Sequence, residues 1–130
     1  MKLLLISNGN LAKEMYHAME RFYARPSIDF IGIDERNLDA FRQNLKDYLI
    51  KAKEDVLMVC DFFGSAAFNE AAYFMKKNPA KKYGVLCGMN LPMVFKLYGL
   101  KDEWSMAEIE SLYEGTAAAG VHAHLETSLG

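Results

Sequence analysis

Asp61 has the setting in this chain that most invites chemistry. It closes the apolar run Val56–Cys60 and precedes Phe62-Phe63-Gly64-Ser65-Ala66-Ala67. The run reads as a strand covered on both faces. Gly64 supplies a turn, because glycine tolerates backbone angles that side chains resist. A helix then starts near Ser65, Ala66 and Ala67, and the free amides of a helix start favour anions. A carboxylate beside an anion site, at the carboxyl end of a parallel strand, is where open α/β sheets hold ligands. An Asp at such a turn serves equally well as a plain helix cap. The turn alone leaves both readings open.

Two further turns have the same form. Ser7-Asn8-Gly9-Asn10 follows the apolar run 3–6, and Gly88-Met89-Asn90-Leu91-Pro92 follows Tyr83–Cys87. Each puts a turn and a capping residue ahead of a helix. If the three turns converge, they make an anion pocket with one acidic wall, a phosphate or phosphoryl site by its chemistry. A response-regulator receiver also has Asp after its third strand, but it needs acidic residues after the first strand to hold a metal. Residues 7–10 offer none, which excludes that class. A flavodoxin-like module binding FMN needs a hydroxyl-rich phosphate loop after the first strand, and Ser7 alone matches it poorly.

The remaining reactive side chains point elsewhere. His17 falls inside the first helix, at its surface. His122 and His124 could chelate a metal from one strand face, yet no third ligand is evident, so neither metal nor cofactor is expected. Cys60 and Cys87 each close a strand and read as small buried hydrophobes rather than a disulfide or a metal pair. No nucleophile elbow or P-loop is present.

Elements to position these residues are legible in order. Residues 3–6 read as a central strand. Leu11, Met15, Ala18, Met19 and Phe22 make the apolar face of a first helix, which Pro26 and Ser27 end. Ile28, Phe30 and Ile31 form a second strand ending near residues 32–34. Asn37 caps a second helix with Leu38, Phe41, Leu45, Tyr48 and Leu49 inward. The third helix runs from Ser65 to about Lys77, and Asn78-Pro79 stops it. Asn90 caps a fourth, with Pro92 in its first turn, running through Tyr98 and ending at Gly99. Ser105-Met106-Ala107-Glu108 is a capping box, with Trp104 and Ile109 as its staple. That last helix is expected to reach about Ala119 and end at Gly120. Residues 121–130 read as either an edge strand or a frayed tail.

Four alternations of strand and helix predict an α/β, doubly wound, mostly parallel four-stranded sheet with helices on both faces. With 130 residues, the expectation is one domain over 1–130, large enough for its own core. Apolar residues at 52% and charged residues at 25% are an ordinary globular composition. A net charge of -2 with no basic block argues against a nucleic-acid partner. The run 3–6 is too short for a signal peptide or a membrane span, so the expected location is cytoplasmic.

Taken together, the three turns resemble a known family. The chain is similar, over Lys2 to about Gly120, to the enzyme IIA component of the mannose family of the bacterial phosphoenolpyruvate-dependent sugar phosphotransferase system. Residues 61–72 resemble its Asp-x-(Trp/Phe)-Gly-Gly-Ser-Pro-Phe-Asn segment. Residues 88–93 resemble Gly-Val-Asn-(Ile/Leu)-Pro-Met, and residues 5–12 resemble a segment containing Ser-His-Gly-x-(Leu/Phe)-Ala. The resemblance implies a doubly wound α/β fold, a homodimer, and a C-terminal strand completing the sheet. It also implies that a histidine after the first strand takes a phosphoryl group from the histidine-containing carrier protein and passes it to enzyme IIB, with membrane contact only indirect, through the transporter complex. Asp61 matches the family's Asp that orients this imidazole. The backbone around Gly9, Gly64, Ser65, Ala66 and Ala67 matches the phosphoryl-holding positions.

The chain departs from the pattern at the acceptor itself. Asn8 stands where the histidine belongs. A carboxamide nitrogen has its lone pair delocalised into the carbonyl and is no phosphoryl acceptor. Ala66 replaces the family's serine, while Ser65 and Ala67 replace its second glycine and its proline. The resemblance therefore implies a role in sugar uptake with phosphoryl transfer impaired, or a non-phosphorylatable regulatory paralogue that binds the same partners.

Overall fold

A computed structural model describes residues 1–79 and 83–113 in full and the backbone of 122–125. Within them the sheet runs in the order β2-β1-β3-β4-β5. Its strands are β1 (Lys2–Asn8), β2 (Ile28–Ile33), β3 (Val56–Cys60), β4 (Tyr83–Cys87) and β5 (His122–Leu125). The first four are mutually parallel. β5 joins β4 antiparallel, with His122 opposite Cys87. The doubly wound parallel sheet expected from the sequence is thus present, and residues 122–125 are the edge-strand alternative. The rest of the 114–130 tail lies outside the described residues.

The helices are α1 (Leu11–Glu20), α2 (Leu38–Lys51), α3 (Ala66–Lys77), α4 (Leu91–Leu100) and α5 (Met106–Tyr113). Every residue of β3 and β4 is buried, as strands with helices on both faces must be. Alternate strand residues feed two cores. Leu4, Ile6, Met58, Cys60, Val85 and Cys87 pack with Phe41, Leu45 and Leu49 of α2 and with Ala67, Ala71 and Met75 of α3. Leu3, Leu5, Leu57, Val59 and Leu86 pack with α1, α4 and α5 on the other face. Burial of these side chains, about 1.5–3 kcal/mol each, is what holds the sheet between its helices.

Helix ends follow the capping residues closely. The Asn37 and Asn90 side chains accept the Ala40 and Met93 amides at 3.1 and 2.9 Å. The capping box closes in both directions, Ser105 N–H to Glu108 at 3.0 Å and Glu108 N–H to Ser105 Oγ at 3.2 Å. The expected end of α5 at 119–120 lies outside the described residues.

Three details differ from the sequence expectation. α4 continues through Gly99 to Leu100, because Met93, Val94 and Leu97 hold its buried face. The inward stripe of α1 is Ala12, Met15, Tyr16 and Met19, not one that includes Leu11, Ala18 and Phe22. Leu11 sits one residue, about 100°, off that stripe. Phe22 lies beyond the helix end and stacks edge-on against Phe95 of α4 at 4.8 Å. The third difference concerns the start of α1. Asn10 occupies the cap position without a side-chain hydrogen bond. The fully buried Ser7 does the capping, its Oγ accepting the Ala12 amide at 2.9 Å.

β2 also shapes the first turn. Gly9 N–H donates to the Ile33 carbonyl at 2.9 Å, which draws the turn after β1 onto the end of β2. A methyl group at Gly32 would overlap the Gly9 carbonyl oxygen, so this contact requires glycine at 32. No helix among the described residues is long and apolar enough to cross a membrane.

Candidate functional site

β1 and β3 lie side by side, yet α1 leaves toward one face and α3 toward the other. Such a switch point opens a crevice at the carboxyl ends of the two strands. Asn8 ends β1 and Asp61 follows β3, so both stand at its mouth.

Asp61 is half-buried, and its carboxylate ties the mouth together. Oδ2 accepts the Asn8 main-chain N–H at 2.9 Å. Oδ1 accepts the Phe62 N–H at 3.0 Å and the Ser65 hydroxyl at 2.7 Å. Ser65 in turn accepts the Phe68 N–H at 3.1 Å and is the N-cap of α3. The structural work is divided: Ser65 caps the helix and Asp61 clamps the turn after β1. Gly64 carries φ +85°, a backbone conformation that strains any other residue, and it brings the chain round from Asp61 to Ser65.

The third turn joins at the main chain. Gly88 N–H donates to the Asp61 carbonyl at 3.2 Å, and Met89 N–H to the Cys60 carbonyl at 3.1 Å. All three turns expected to converge do so. Of the residues singled out from sequence, Asn8, Gly9 and Gly64 are exposed, Ala66 is half-buried and Ser65 is buried. Ala67 is closed to solvent and packs into the core beneath α3. After Gly64, Ala66 keeps some exposure and Ala67 keeps none.

The three histidines lie on α1 and β5. His17 is exposed on α1 and pairs with Glu20 at 2.7 Å. His122 and His124 lie on β5, paired through the backbone with Cys87 and Val85. Among the described residues no three His, Cys, Asp or Glu side chains are grouped to hold a metal ion.

The rim is more apolar than expected from the turns. Leu11, Phe62 and Phe63 are 43%, 55% and 47% exposed beside the mouth. Phe63 stacks on Phe68 at 4.8 Å and so has a fixed position. Adjacent aromatics in a strand-to-helix turn were the available signal, because a turn offers them no core to enter.

Ser65→Ala removes both the cap of α3 and one partner of Asp61. The expected loss is about 1–2 kcal/mol, read as a lower urea midpoint with unchanged slope. An unshifted midpoint would contradict the paired role.

Comparison with known proteins agrees with this frame. Residues 2–113 match the family model EIIA-man, described as the PTS system fructose IIA component. The chain superposes on the phosphotransferase system component EIIA from Streptococcus agalactiae with a TM-score of 0.72 at 22% identity, over 80% of this chain and 81% of that one. A putative phosphoenolpyruvate-dependent sugar phosphotransferase system permease from Klebsiella pneumoniae gives 0.70 at 19% identity, over 90% and 87%. The mannose/sorbose specific IIA subunit from Enterococcus faecalis gives 0.62 at 25% identity, over 75% and 74%. With its crevice framed by Asn8 and Asp61 and its match running over nearly the whole described chain, the protein belongs to the mannose-type enzyme IIA family of the sugar phosphotransferase system.

Proposed function

We propose that this chain takes the enzyme IIA place between the histidine-containing carrier protein and enzyme IIB, without carrying the phosphoryl group covalently. The observation behind this reading is Asn8. It stands at the end of β1 with its main-chain N–H on Asp61, at the position where the family resemblance puts the accepting imidazole. Its carboxamide can donate and accept hydrogen bonds but cannot attack phosphorus. Gly9, Gly64, Ser65 and Ala66 line the side on which a partner's phosphoryl group would sit, and the amide end of α3 favours that charge. Asp61, with a donor on each oxygen, positions the turns rather than reacting. Leu11, Phe62 and Phe63 supply exposed apolar contact for a docking protein.

The role that follows is regulatory. The chain engages the components of sugar uptake and competes with phosphoryl-carrying relatives for them. Calorimetric titration with the carrier protein, phosphorylated and unphosphorylated, and with enzyme IIB tests this. Saturable binding of at least one partner with no phosphate left on the chain is expected. Absence of any complex at millimolar concentration would remove the reading, since even weak transient docking registers there.

A further inference from the structure

Beneath the mouth of the crevice lie two thiols that the proposed function does not use. Cys60 and Cys87 are the last residues of β3 and β4 and are paired in register. Adjacent strands run about 4.8 Å apart, within the Cα span a disulfide bridges. Both side chains enter the same core, and their sulfurs are 3.1 Å apart, Cys60 donating to Cys87. Both are free and fully buried. The next residues in each strand are Asp61 and Gly88, already joined through the backbone.

We propose that Cys60 and Cys87 are a redox latch, whose disulfide ties the ends of β3 and β4 together and stiffens the Asp61 turn. The Asp61 turn lies against the pair. Cys60 Sγ lies 3.8 Å from the Phe62 carbonyl, and residues 62–64 are all exposed. The oxidant class that suits such a site is a small neutral hydroperoxide. The Cys87 sulfur, which accepts the Cys60 S–H, attacks one peroxide oxygen while its own proton passes to the other. The O–O bond breaks, the other oxygen leaves as water or alcohol after protonation, and Cys87 becomes a sulfenic acid. Cys60 then attacks that sulfur. The S–S bond forms, the S–O bond breaks, and hydroxide leaves with the Cys60 proton as water. Two thiols give up two electrons and the hydroperoxide accepts them. The hydrogen bond to Cys87, burial and the Asp61 charge raise the Cys60 thiol well above its ordinary range, which keeps the pair reduced under mild conditions. Closing the sulfurs from 3.1 Å to about 2.05 Å needs only side-chain rotation, and the bond then holds the two strand ends at a fixed spacing. Asn8 takes no part, so the inference stands apart from the phosphoryl reading.

The test treats the full chain with hydrogen peroxide, then denatures it and blocks thiols with N-ethylmaleimide before peptide mapping. These are the two cysteines of the chain, so the pattern is simple. A linked Cys60–Cys87 peptide, lighter by two hydrogens and released by reductant, is expected. In the oxidised chain, amide exchange over 61–65 slows by about tenfold. The Cys87→Ala variant, folded as judged by circular dichroism, shows neither change. The proposal fails if both thiols are blocked after exposure that oxidises a free-thiol peptide. It fails too if a link between chains forms instead, or if the disulfide forms without slowing exchange at 61–65.

Discussion

Asp61→Ala is expected to lower the stability of the fold by about 3 kcal/mol, the largest loss at any residue of the crevice. The carboxylate accepts three donors, from Asn8, Phe62 and Ser65. A hydrogen bond to an ionised group contributes about 1.5–3 kcal/mol. The three do not add in full. Asn8 and Phe62 are exposed, so water replaces Asp61 at their amides, whereas Ser65 is buried and keeps only its Phe68 partner. The loss falls on two junctions at once, the β1 turn against β3 and the start of α3. Asp61→Asn retains one acceptor oxygen and should lose roughly half as much. Urea denaturation of the three proteins checks the series. A loss of under about 1 kcal/mol for Asp61→Ala would mean that water holds these donors as well as the carboxylate does.

On the proposed reading, Asn8→His should turn a chain that takes up no phosphate into one that accepts nearly one per chain. The backbone needs no rebuilding for this, since Asn8 already ends β1 beside Asp61. Oδ2 of Asp61 carries one donor, which leaves a lone pair for an imidazole N–H at position 8. An imidazole so held presents its other nitrogen unprotonated, the form that attacks phosphorus. The product is an acid-labile phosphoimidazole, so acid treatment removes the added mass. Asp61→Ala in the Asn8→His background should slow the transfer about a hundredfold, because the orienting acceptor is gone. A histidine variant that stays unmodified while folded would show that more than the acceptor has been lost.

Much of this molecule is legible from residue types alone. The bounds of β3 and β4 follow from unbroken apolar runs, because strands covered on both faces tolerate nothing else. Caps at Asn37, Asn90 and Ser105 are local devices, satisfied within three residues, and so they read directly from sequence. What escapes is what depends on chain segments meeting in space. Ser7 displaces Asn10 as the cap of α1 because β1 carries its buried hydroxyl up to the helix start. Gly32 matters through the Gly9 carbonyl, more than twenty residues away. The split between Ser65 as cap and Asp61 as clamp needs Asn8 in place across fifty-three residues of chain. The buried face of α1 escapes the periodicity because Leu11 and Phe22 match the helical period while one opens the helix and the other lies past its end, where period alone decides little.

On the proposed reading the family frame is intact and Asn8 leaves it without a phosphoryl acceptor. The most direct measurement is the intact mass of the unaltered chain after incubation with phosphoenolpyruvate, enzyme I and the histidine-containing carrier protein, with the Asn8→His variant beside it as the competent control. An unmodified chain next to a phosphorylated variant is the predicted result. A phosphate on the unaltered chain would contradict the account and make the modified residue the true acceptor.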